Sequence, residues 1–171
     1  MYNLKKAKDR MNPIPENVVE KTWERMIDMS PAEAPEMVDR MTKEQPLILA
    51  YLMAIGDELF NQDEREVLLF LGIVIWQIML QGDTPLPTIS EKMLEEVEES
   101  NFKMLEYLEG ESETDFMETT MSMLENYNQK EILAHVLEAI MEEPEEDGEI
   151  TEENQGMMMI HLKTVIDCFD R

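Results

Sequence analysis

One cysteine and six glycines in 171 residues leave little room for two ways of building a fold. A lone thiol, Cys168, cannot close an intrachain disulfide, so packing must hold the chain together. A chain of this length can do so, burying roughly 70% of the surface it exposes when unfolded. Few glycines means few turns with positive φ, which counts against a barrel or a sandwich. Basic residues are scarce as well: 14 Lys and Arg face 39 Asp and Glu, for a net charge of −25. A field of that sign disfavours phosphate backbones and anionic lipid as partners, and favours basic protein surfaces or cations. No apolar run approaches the ~20 residues a bilayer-spanning helix needs. Lys5, Lys6 and Lys8 are followed by Pro13 and Pro15 rather than by the apolar segment of a signal peptide. The cytoplasm is the expected compartment.

What the chain does have is glutamate, leucine, lysine and 17 methionines, all good helix formers. The fold class expected is all-α. Its centre is Val67 to Leu80, where only Gly72 and Gln77 interrupt an apolar run. A helix with no polar face must be covered on every side. Cys168 continues an apolar stripe near the C-terminus and reads as a buried thiol.

Around that centre the punctuation marks about eight helices. Residues 1–14 read as a flexible basic arm, with Lys5, Lys6, Lys8 and Arg10 against Asp9. Residues 15–171 read as one helical domain. A first helix runs from Pro15 to about Met29 on the spacing of Val19, Trp23, Met26 and Ile27. Ser30-Pro31-Ala32-Glu33 is a capping box, but Pro35 places the next helix from about Pro35 to Lys43. Gln45-Pro46 opens a third, to Leu59, and the central helix spans about Asp63 to Gln81, with Gly82 as its stop. Pro85 and Pro87 mark a linker. Thr88 with Glu91 forms a second box, opening a helix to Glu109, and Ser112 caps the helix that ends near Tyr127. Asn128 with Glu131 forms a third box. An acidic loop, about Glu142 to Ile150, leads to the last helix, capped by Thr151.

The chain also resembles itself. Gln45-Pro46-Leu47-Ile48-Leu49-Ala50-Tyr51-Leu52 aligns with Gln129-Lys130-Glu131-Ile132-Leu133-Ala134-His135-Val136, an offset of 129 − 45 = 84, with four identities. Beyond the acidic loop, Leu71, Val74 and Ile75 align with Leu162, Val165 and Ile166 at 162 − 71 = 91. The expected architecture is therefore two repeated four-helix units, about 15–82 and 88–171, packed as a compact helical array. Coincidence between two apolar helices is the plainer source of such likeness.

Candidate chemistry is thin. In the repeat, His135 takes the place of Tyr51 and His161 that of Phe70. The hairpin about the acidic loop would set the two imidazoles at similar depth, with Glu131 and Glu138 flanking His135 at i−4 and i+3. His135, His161, Glu131 and Glu138 together could hold Zn, Mn or Fe. An aromatic packing pair is the plainer use of these rings, and the Glu-x-x-His signature of di-iron bundles does not occur. The acidic loop fails as a calcium loop, with Glu143 at position one and Asn154 at position twelve. No phosphate loop, Cys–His pair or nucleophilic serine motif is present, so catalysis is not expected and no cofactor is implied beyond a transition metal. The methionines suit core gaps, or a groove between the two units that takes a peptide. The function these features favour is an acidic helical interaction module for a protein or peptide with a basic surface. The alternatives are a metal-binding helical protein and an acidic mimic of nucleic acid.

Overall fold

The computed structural model describes residues 11–110, 112–141, 150 and 152–170. Among them are eight α-helices and no strand: α1 (Glu16–Ile27), α2 (Glu33–Glu44), α3 (Pro46–Leu59), α4 (Gln62–Met79), α5 (Glu91–Glu109), α6 (Glu113–Asn126), α7 (Lys130–Met141) and α8 (Glu152–Phe169). The all-α class and the number of helices match the sequence reading.

Local chemistry explains most of the boundaries. Pro46 opens α3 at a position whose N–H would have no partner anyway. Asn61 and Glu64 form a reciprocal capping box at the start of α4. Three starts differ from expectation. α2 begins at Glu33 rather than Pro35, because Pro35 then falls in the first turn, where no intrahelical donor is needed. α5 is capped by Ser90, whose Oγ accepts from the Met93 amide at 3.2 Å, and not by Thr88. Asn128 does not form a box with Glu131: its Nδ2 donates to the Met11 carbonyl at 2.8 Å and to Asp170.

The two long buried helices, α4 and α8, pack against each other at the centre. Residues 71–79 of α4 are buried without a break, as an apolar helix requires. In α8 the seven residues from Ile160 to Ile166 are buried in the same way, although His161, Lys163 and Thr164 are among them. α3 packs on α4 and also meets α8, and α7 packs on α8 and also meets α4. α1 flanks α4 and α5 flanks α8, while α2 and α6 lie outermost, against α3 and α7 respectively. Gly72 allows α3 to lie close, since a Cβ there would stand 2.4 Å from the Leu52 side chain. Cys168 is buried in the core.

Two extended segments complete the core, each held by a buried glutamine. Gln129 accepts from the Ile14 amide at 3.0 Å and donates to the Asn12 carbonyl at 3.3 Å. Gln45 accepts from the Ile89 amide at 3.1 Å and donates to the Pro87 carbonyl at 2.8 Å. Residues 11–14 of the supposed arm are thus pinned, with Met11 and Ile14 buried in the core. Residues 1–10, the acidic loop 142–149 and Thr151 lie outside the described residues. Among the described residues no helix is long and apolar enough to cross a membrane.

Candidate functional site

The four residues singled out as metal ligands occupy different surroundings. His135 is half-buried on α7, its Nδ1 lying 2.8 Å from the Glu131 carbonyl one turn back. Its ring tilts onto Trp23 of α1, with centroids 5.8 Å apart. Glu131 therefore meets His135 through its backbone, and Glu138 is exposed on the same helix. His161, only 1% exposed on α8, packs edge-on against Tyr51 of α3 and Phe102 of α5. The two imidazoles thus rest on different aromatic partners from different helices. Among the described residues no group of three or more His, Cys, Asp and Glu is arranged to hold a metal ion.

His161 has its own electrostatics. Burial pushes its pKa down from 6.5 to about 4, so the ring is neutral near pH 7. The Tyr51 hydroxyl lies 2.6 Å from Nδ1. That hydroxyl is itself pushed upward, first by burial and then by the nearby Glu98 carboxylate, and stays protonated. His161 Nε2 is buried without a hydrogen-bond partner.

A second polar group, not anticipated from the sequence, joins α5, α8 and the turn before α7. Lys163 is 7% exposed, and its Nζ donates to Asn101 Oδ1 and Asp167 Oδ2, both at 2.7 Å. Tyr127 donates its hydroxyl to Asp167 Oδ1, and Lys163 Nζ sits 5.2 Å from the Tyr127 ring centroid. Asp170 accepts from Asn128 and, at 2.8 Å, from Gln129. Asn101, Tyr127, Asn128, Lys163, Asp167 and Asp170 line a cavity of about 340 Å³. Lys163 is paired with Asp167, Asp170 is held by side-chain amides, and the polar atoms are bonded to one another, the arrangement of a structural hub. The Lys163–Asp167 spacing of i, i+4 within an apolar helix was the signal for it.

A third feature is a cleft of about 380 Å³ where the end of α1 and the start of α2 cross α4. Its walls are Met26, Met29 and Met37, with Arg25 and Arg40 beside them and Glu33 and Glu36 exposed at its edge. Gln77, 5% exposed, lines it from α4. Arg25 Nη2 donates to Gln77 Oε1 at 3.5 Å, while Gln77 Nε2 is buried without a partner. The guanidinium of Arg40 lies 5.5 Å from the ring centroid of Trp76, whose buried Nε1 also has no partner. The three methionines therefore line a cleft within the first half of the chain.

No protein-family model matches this chain, and no curated protein or solved structure shows significant similarity to it.

Proposed function

We propose that this protein is an acidic helical docking module for a protein or peptide partner with a basic surface. The observation that carries this reading is where the acids lie. Among the described side chains only Glu64 and Asp170 of all the acids are buried, and each is hydrogen-bonded. The surplus of negative charge therefore acts as a surface field rather than converging on a buried site. Among the described residues, ion pairs hold Arg40, Arg65, Lys103 and Lys163 against acids of the same chain and neutralise little of that surplus. A basic partner would be drawn in by this field, with affinity falling as salt rises over a Debye length of about 8–10 Å.

The same proposal reads the eight helices as two four-helix units, α1–α4 and α5–α8. Several contacts support it. α4 packs on α8, α1–α4 has a counterpart in α5–α8, and α3–α8 has one in α7–α4. Gln45 and Gln129, equivalent at the 84-residue offset, each grip the backbone of the segment that leads into the opposite unit. Ile14 and Ile89, each one residue before a helix cap, are both buried, as are Val19 and Leu94 four residues beyond those caps.

The test is titration calorimetry with a lysine-rich 20-residue peptide at several salt concentrations. Binding at low salt that weakens steadily with added salt is the expected outcome. No heat at low salt, or affinity independent of salt, would overturn the docking reading. Elemental analysis of the same preparation reports on the metal alternative at His135, His161, Glu131 and Glu138.

A further inference from the structure

In a chain dominated by acids, the cleft over Gln77 gathers hydrogen-bond donors. Two guanidiniums, Arg25 and Arg40, line it, and so does Gln77, whose buried Nε2 has no acceptor. A buried donor left without a partner is costly, and most such groups in native proteins have one. Arg25 makes a long contact of 3.5 Å with the Gln77 carbonyl oxygen, which favours the amide orientation that leaves its donor as the open end. Gln77 Nε2 lacks an acceptor. Although Arg40 already meets Glu44 and Arg25 the Gln77 oxygen, each guanidinium has further N–H groups, so the acceptor that best suits the three donors together is a carboxylate.

The rest of the cleft limits what carries that carboxylate. Met26, Met29 and Met37 form flexible apolar walls that suit an aliphatic side chain of variable shape. Glu33 and Glu36 are exposed at the edge; Glu33 already accepts from the Ser30 amide at 3.0 Å, and both are placed to meet positive charge. An acceptor inside, an apolar body between and cations outside describe the end of a polypeptide. We propose that this cleft seats the carboxyl terminus of a partner chain whose last residue is apolar and whose preceding residues are basic. A free fatty acid would satisfy the donors and the methionines but leave the acidic edge unmatched, and the surrounding negative field would oppose its approach.

This proposal rests on the docking reading above and narrows it to one segment of the partner. The two fail separately, because the lysine-rich probe reports the surface field and a pair of short peptides reports the cleft. The peptides are acetyl-Lys-Lys-Gly-Leu with a free carboxyl terminus and the same sequence ending in an amide, titrated calorimetrically into the full chain. The free acid is expected to bind about tenfold tighter or more, the gain of a charge-assisted contact over a neutral one. Arg25→Met, Arg40→Met and Gln77→Leu should each reduce that ratio at least threefold, with helical circular dichroism unchanged. Arg25 and Arg40 are exposed, so these two variants keep the test sound even if Gln77→Leu folds poorly. Affinities for acid and amide within twofold of each other would overturn the cleft proposal, as would a ratio that survives in both arginine variants. Binding of the lysine-rich probe but of neither short peptide would also overturn it, while leaving the docking reading in place.

Discussion

Replacing Gln129 by Leu probes the clamp that fixes residues 11–14. Gln129 contributes three bonds: it accepts from the Ile14 amide at 3.0 Å, and donates to the Asn12 carbonyl at 3.3 Å and to Asp170 Oδ1 at 2.8 Å. Leucine has similar volume and can make none of them. Ile14 is buried, so its amide is left without an acceptor, at about 1–3 kcal/mol. Loss of a hydrogen bond to the buried Asp170 carboxylate adds about 1.5–3 kcal/mol. Burial of the new leucine offsets roughly 1–2 kcal/mol of this. The net destabilisation should be roughly 2–4 kcal/mol, which for a chain of this size lowers Tm by roughly 5–15 °C. Gln45→Leu is the internal comparison. It strands the Ile89 amide in the same way, but the Gln45 amide donates to the Pro87 carbonyl where Gln129 donates to a carboxylate. Its cost should be smaller, roughly 1–2 kcal/mol. Differential scanning calorimetry at pH 7 with both variants gives the ranking. Melting within about 2 °C of wild type for both, or a larger loss for Gln45→Leu, would refute this account of the clamps.

Three further predictions follow from the buried groups. Because burial holds His161 near a pKa of about 4 against 6.5 when unfolded, the unfolded chain takes up the proton first as pH falls. His161 should therefore remove stability through that window, about 2 kcal/mol of it between pH 8 and pH 5, and none further once both states are protonated; urea melts of His161→Phe should lack this component of the slope. Ile75→Ala in α4 and Leu162→Ala in α8, both fully buried, should each cost about 2–5 kcal/mol in chemical denaturation, and an unchanged midpoint for either would show that its helix is not central. Lys163→Met should cost about 2–4 kcal/mol, since Asp167 loses its ion-pair partner while staying partly exposed, and Lys163→Met with Asp167→Asn should recover part of the loss.

The all-α class, the run of helices and the position of α4 were all legible in the chain, because each rests on local composition and on spacing that repeats every turn. Leu71 to Met79 announce a buried helix, since no arrangement could solvate them. Helix starts were legible only where one signal acted alone. At Ser30 to Pro35 two signals competed, and the first-turn tolerance for proline decided the outcome. The central place of α8 was hidden, because Lys163, Thr164, Asp167 and His161 look like a solvent face until their partners are known. Asn101 and Tyr127, 62 and 36 residues before Lys163 in the chain, make that burial tolerable. The cleft over Gln77 was equally hidden, since Arg25, Arg40 and Gln77 lie on three helices with no common spacing. Sequence by itself determined which segments are helical and which faces they must bury. Only the tertiary structure decided which polar groups meet inside, because a hydrogen bond between distant residues depends on chain crossing and leaves no periodic trace.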